Sequence, residues 1–166
     1  VGLKLFIPCF LDQCAPQVAG AVAGLLGRLG LAGDYPAEQT CCGQFAWTAG
    51  DAATARRLMR HFLRVFAGDG PILCPSASCT YMVRHCYPQL AAGGRESRAV
   101  AALAARIMEL SEWLCARGPL SWTPEFDGSL VLHQSCKARQ LGVLDGAREV
   151  LSQVNGLEVL SISPYY

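Results

Sequence analysis

Short apolar runs alternate with longer amphipathic stretches along this chain. Leu3-Lys4-Leu5-Phe6-Ile7 predicts a buried strand that ends at Pro8-Cys9. Pro16 then opens a helix, with Val18, Val22, Leu25, Leu26 and Leu29 at helical spacing. Gly20, Gly24, Gly27 and Gly30 lie inside that helix and not on a strand-to-helix turn, so they are no dinucleotide fingerprint. Close helix packing is the expected reason for them. Leu31 to Pro36 predicts a short strand, and the chain from Ala37 to Gln44 a loop.

Asp51 begins a second amphipathic helix. Ala52, Ala55, Leu58, Met59, Phe62, Leu63 and Phe66 form its apolar face, and Arg56, Arg57, Arg60 and Arg64 form a solvated one. Pro71-Ile72-Leu73-Cys74 predicts another buried strand, followed after Pro75 by a helix to about His85. Val100, Leu103, Ile107, Leu110 and Leu114 predict one continuous third helix. Leu130-Val131-Leu132-His133 predicts a strand; Leu144, Ala147, Val150, Leu151 and Val154 predict a helix; and Leu157 to Ile162 predicts a final strand.

Strands alternating with helices predict an α/β fold, a three-layer module with a mostly parallel sheet. Cys9, Cys79 and Cys136 then each fall just past the carboxyl end of a predicted strand, on the sheet edge where open α/β folds bind ligands.

Composition narrows the function classes. The 166 residues are 52% hydrophobic and 16% charged, enough apolar material for a core and too much for disorder. A net charge of +1 without a basic stripe argues against nucleic-acid binding. Mean hydropathy is +0.26, yet no apolar stretch approaches the length of a membrane span. No basic leader precedes the first strand, so a cytoplasmic location with reduced thiols is expected. Against that background, Cys 9 is the unusual count, and clustered reduced cysteines point to metal or redox chemistry.

The adjacent pair Cys41-Cys42, followed by Gly43, is the most informative feature. Neighbouring cysteines are poorly placed to form a disulfide with one another, but they can ligate different irons of one cluster. Thirty-one residues separate Cys9 from Cys41, and thirty-six separate Cys42 from Cys79. Such intervals suit ligands gathered by an α/β fold and differ from the tight spacing of a zinc ribbon. No nucleophile–base pair or acid–base dyad is visible, so proton chemistry on a substrate is expected elsewhere in a complex. Cys14, Cys86 and Cys115 are expected to be buried or half-buried thiols, Cys74 strand core, and His61 and His133 structural.

Phe6-Ile7-Pro8-Cys9, Gln39-Thr40-Cys41-Cys42-Gly43-Gln44, Pro75-Ser76-Ala77-Ser78-Cys79 and His133-Gln134-Ser135-Cys136 with Leu141-Gly142-Val143 together resemble the cysteine-rich CCG domain of iron–sulfur oxidoreductase subunits. That family includes the cysteine-rich component of heterodisulfide reductase, the glycolate oxidase iron–sulfur subunit and, most similar, the lactate-utilization proteins. The resemblance implies a [4Fe-4S] cluster held by Cys9, Cys41, Cys42 and Cys79. It implies electron transfer within a lactate (2-hydroxy acid) oxidizing complex, alongside other subunits that include another iron–sulfur protein. Two other functions stay open: a catalytic heterodisulfide- or quinone-reducing subunit, and a zinc-stabilised interaction module without redox chemistry.

The chain departs from the fullest family pattern, which ends in Cys-x-x-Cys: Ser76 stands three residues before Cys79, and the nearby Cys74 lies on the strand side of Pro75. Cys136 follows Cys9 by 127 residues, each at a strand-to-helix junction, which predicts an internal repeat. The same offset puts counterparts of Cys41 and Cys42 at positions 168 and 169, past Tyr166. The expected organisation is a first cysteine-rich module over residues 1–124 and the truncated opening of a second over 125–166, with Cys136 in an incomplete second site.

Overall fold

The computed structural model describes residues 2–160. Four strands, β1 (Leu3–Leu5), β2 (Gly33–Asp34), β3 (Ile72–Cys74) and β4 (Ile107–Glu109), form one sheet in the order β2-β1-β3-β4. Every pairing is parallel, with Leu3 opposite Gly33, Lys4 opposite Ile72, and Ile72 opposite Ile107. The expected α/β class with a mostly parallel sheet is what the chain adopts.

Helices α1 (Cys9–Cys14) and α2 (Pro16–Arg28) carry the chain from β1 to β2, and α3 (Gln44–Thr48) and α4 (Ala52–Val65) from β2 to β3. Between β3 and β4 lie α5 (Ala77–Tyr81), a π-helical turn (Met82–Cys86), α6 (Tyr87–Leu90) and α7 (Ser97–Ala104). Asp51 caps α4 as the sequence predicts, its carboxylate accepting from the Thr54 N–H at 2.9 Å. That hydrogen bond holds its pKa below the usual carboxylate range.

Parallel strands are buried on both faces, which is why they read as unbroken apolar runs. On one face Phe6, Ile72, Cys74 and Ile107 join Met59, Phe62 and Phe66 of α4, Tyr87 of α6 and Leu103 of α7 in a single core. On the other face Leu26 of α2 and Leu5 of β1 meet over Gly33, where an added Cβ would stand 3.1 and 3.6 Å from them. A Cβ at Gly33 would require the Leu26 side chain to give by a few tenths of an ångström. The aromatic hub is Phe62, stacked on Phe66 at 4.3 Å between ring centroids and edge-on to Phe6 at 4.8 Å and to Tyr87 at 5.7 Å.

Three sequence expectations are corrected. The single helix predicted across Val100 to Leu114 is interrupted, because Ile107-Met108-Glu109 extends as β4 along the open edge of β3. Helical spacing of the apolar residues survives across that break by coincidence, and tertiary pairing overrides it. The α2 glycines are not a packing seam: a Cβ on Gly20, Gly24, Gly27 or Gly30 would meet nothing within 4 Å. Gly30 instead ends the helix, with φ at 70°. Cys14 is exposed, since α1 leaves it on the solvent side.

The chain forms two compact units, the first ending at Leu110 and the second starting at Ser111, with α8 (Leu110–Ala116) at the boundary. The second unit contains β5 (Glu125–Val131), α9 (Cys136–Leu141), α10 (Leu144–Leu151) and β6 (Asn155–Leu160), and its two strands pair in parallel. Ser135 caps α9 by accepting from the Ala138 N–H at 3.2 Å. Strand, short helix, longer helix and parallel strand follow one another here as they do in β1-α1-α2-β2, and a cysteine opens the six-residue helix in both. Of the predicted last strand, Ser161 and Ile162 lie outside the described residues.

Candidate metal centre

Strands β2, β1 and β3 run in one direction, so the chain leaving each of them reaches the same edge of the sheet. Each departure carries cysteine. Cys9 opens α1 after β1, Cys41 and Cys42 end the loop after β2, and Cys79 lies in α5 after β3. All four line one cavity of about 310 Å³, walled also by Pro8, Leu11 and Pro75 and rimmed by the exposed rings of Phe10 and Phe45. Among the described residues, no three histidine, cysteine, aspartate or glutamate side chains converge closely enough to hold a single metal ion. The four thiols line that cavity, with Cys42 and Cys79 in sulfur–sulfur contact at 3.3 Å.

Their protons are unevenly shared. Cys42 donates to the Cys79 sulfur at 3.3 Å and also hydrogen-bonds to Cys41. Donation from Cys42, opposed by burial and aided by the Gly43 N–H at 3.3 Å and by Cys9, pulls Cys41 down to about 5. The same Cys42 donation lowers Cys79. Burial, then the hydrogen bond to Cys41, pushes Cys9 up to about 11, and the bonds to Cys41 and Cys79 raise Cys42 strongly. Cys41 and Cys79 are therefore the acceptors of the set and Cys9 and Cys42 its donors, and a soft metal group would displace the remaining protons.

The loop holding Cys41 and Cys42 is fixed from three sides. Gln39 stitches it to the sheet, its Oε1 accepting from the Ile7 N–H at 2.8 Å and its Nε2 donating to the carbonyls of Pro36 at 3.1 Å and Leu5 at 3.3 Å. Gly43 takes a left-handed φ of 87°, and a Cβ there would lie 3.3 Å from the Leu58 side chain, so only glycine lets the pair turn into α3. Tyr87, buried completely, donates its hydroxyl to the Cys42 carbonyl at 2.9 Å. The π-helical turn directly before it sets the phase that aims the ring at this loop. Neither Tyr87 nor the second helix after Cys79 stood out in the sequence, where only its apolar neighbours gave a signal.

Tyr87→Phe keeps the ring and leaves the buried Cys42 carbonyl without its donor. The expected loss is about 1–3 kcal/mol of unfolding free energy by chemical denaturation. A loss under about 0.3 kcal/mol would show that the bond does not hold the loop.

The residues 3–84 that carry these four cysteines match the family pattern of the Cysteine-rich domain, CCG. Over 167 residues the chain is 35% identical to Lactate utilization protein A 2 of Bacillus cereus (strain 03BB102), covering 98% of this chain and 68% of that protein. The chain belongs to the lactate utilization protein A family. Lactate utilization protein A 1 of Bacillus anthracis (strain CDC 684 / NRRL 3495) is likewise 35% identical over 167 residues, again covering 98% of this chain and 68% of the relative. Lactate utilization protein A of Geobacillus kaustophilus (strain HTA426) is 35% identical over 163, covering 96% and 68%. No solved structure matches the chain.

The other cysteines and histidines of this lactate utilization protein A relative do not line the cavity. Cys74 is fully buried strand core, as expected. Cys86 is buried, and Cys115 is half-buried with its Sγ 3.1 Å from Glu149. His61 bonds the Glu38 carbonyl at 2.7 Å, tying α4 to the loop before Cys41, and His85 lies against Tyr81. Cys136 is exposed at the start of α9 in the second unit, and His133 is exposed two residues past Val131, where β5 ends short of the predicted Leu132-His133.

Proposed function

We propose that this chain is the iron–sulfur electron-transfer component of a cytoplasmic lactate (2-hydroxy acid) oxidizing complex. The observation that carries the reading is the gathering of four free thiols, from three strand ends, around one cavity. Cys9, Cys41, Cys42 and Cys79 would hold a [4Fe-4S] cluster, which when bound supplies a one-electron carrier. Cysteines drawn from three separate strand ends, without the tight spacing of a zinc ribbon, weigh against the zinc-module alternative. The names of the relatives support lactate utilization as the setting.

The chain's own side chains have three tasks in this reading. Gln39 and Tyr87 hold the Cys41–Cys42 loop at fixed height over the sheet edge. Pro8, Leu11 and Pro75 give the cavity an apolar wall. Phe10 and Phe45, 61% and 70% exposed at the cavity rim, give an apolar surface for the redox subunit that partners it in the complex. In this reading proton removal from the hydroxy acid is assigned to another subunit of the complex. Among the described residues no helix is long and apolar enough to cross a membrane. The repeated strand–helix–helix–strand order supports a first cysteine-rich module followed by the opening of a second that carries Cys136.

Anaerobic purification with metal analysis tests the whole reading. The expected result is a brown protein with broad visible absorption and about four irons per chain. A colourless protein with one zinc per chain would overturn it, and about eight irons would overturn the single-site assignment.

A further inference from the structure

Two of the four cavity thiols touch. The Sγ atoms of Cys42 and Cys79 stand 3.3 Å apart, and both residues line the cavity. Cys42 lies in the loop after β2 and Cys79 in α5 after β3, so the contact joins two strand ends far apart in sequence. It is free of the strained peptide that disfavours a bond between the neighbours Cys41 and Cys42.

Both backbones are pinned. The Tyr87 hydroxyl donates to the Cys42 carbonyl at 2.9 Å. Ser76 caps α5, its Oγ accepting from the Cys79 N–H at 3.5 Å, and its carbonyl accepts from the Thr80 N–H at 3.0 Å and the Thr80 hydroxyl at 2.9 Å. Two reacting groups held side by side meet at a high effective concentration. A disulfide needs about 2.0 Å between its sulfurs, a closure that falls to the two side chains. Access is selective by size. Cys42 and Cys79 are 2% and 7% exposed, too little for a protein-sized reagent, but their cavity of about 310 Å³ admits a small one. Cys74 and Cys86 are as deeply buried and do not line it.

We propose that Cys42 and Cys79 form a reversible disulfide when no metal group holds their sulfurs, with a small peroxide as the oxidant. One sulfur attacks the peroxide, the O–O bond breaks, and a sulfenic acid forms as the first water leaves. The second sulfur then attacks the sulfenic sulfur, the S–O bond breaks, and the second water leaves as the S–S bond forms. Two thiols and one hydrogen peroxide give one disulfide and two waters, with two electrons passing from sulfur to oxygen. The bridge keeps the sulfenic acid from advancing to an irreversible sulfinic acid, and a dithiol restores both thiols. The inference stands on the sulfur contact and not on the iron–sulfur reading.

The test uses the 166-residue chain, stripped of metal with a chelator, in a Cys14→Ser/Cys136→Ser background that removes the two exposed thiols. The chain is treated with one equivalent of hydrogen peroxide, blocked with N-ethylmaleimide and mapped by peptide mass spectrometry without reduction. The expected result is a cross-linked peptide pair joining Cys42 to Cys79, with both thiols regained in dithiothreitol. Cys115→Ser should keep that cross-link, and Cys42→Ser and Cys79→Ser should each lose it. In denaturant the same treatment should scatter the bonds among the cysteines. Sulfenic or sulfinic acid without a cross-link overturns the proposal, as does a bridge that joins Cys9 or Cys41 instead. An equal preference for Cys42–Cys79 in denaturant overturns the part played by the folded contact. Iron uptake is not read, so a failure of the iron–sulfur reading leaves this result standing, and a failure here leaves that reading standing.

Discussion

Replacing Cys42 by serine should strip most of the iron from the anaerobically reconstituted protein, and Cys41→Ser should do the same. Both sulfurs sit on one loop pinned by Gln39, Gly43 and Tyr87, so neither can be replaced by a neighbouring thiol sliding into its place. Serine is close in size, and its hydroxyl is a far poorer partner for soft iron than a thiolate. Cys115→Ser is the control: that thiol lies beside Glu149 in the second unit, does not line the cavity, and should keep its iron. Equal iron in all three variants, measured against protein concentration, would remove the ligand assignment.

The largest expected stability effect is at Phe62. Truncation to alanine empties the place where the rings of Phe6, Phe66 and Tyr87 meet, and should cost about 3–5 kcal/mol. Against the usual range of about 5–15 kcal/mol for a folded domain, that is a large share of the total. The damage should reach the thiols too, because Phe6 lies on the segment that leads to Cys9 and Tyr87 holds the Cys42 carbonyl. Phe45→Ala gives the contrast: that ring is 70% exposed, and the change should stay within about 0.5 kcal/mol. Denaturant midpoints would decide the matter, and a Phe62→Ala loss no larger than that of Phe45→Ala would refute the hub.

The thiol cluster is largely legible in the amino-acid sequence. Strands that end in cysteine, in a parallel sheet, must deliver their sulfurs to one edge, and the apolar runs of β1 and β3 are plain. Less visible are the groups that hold the loop. Tyr87 reads as one more aromatic near a proline, and its role depends on a π-helical turn whose extra residue leaves no periodic mark in so short a helix. Ile107 shows the opposite failure. Its spacing from Leu103 and Leu110 fits a helix, yet the free edge of β3 gives three residues a better set of hydrogen bonds as a strand. The glycines of α2 mislead for a simpler reason, since small residues at intervals of three or four look the same on an exposed face as on a packed one.

The one-way run of the first sheet also divides its two ends. Every loop at the carboxyl edge of β2, β1 and β3 carries a thiol or a residue that positions one. The returns at the other end, from α4 into β3 and from α7 into β4, are tied by the Arg106 guanidinium, which donates to the carbonyls of Phe66 and Gly70. Among the described residues, none at that end lines the cysteine cavity. One arginine thus anchors a face that insertions, tags or labels can occupy around Gly68 and Asp69, both exposed, without crossing the sheet to the thiols.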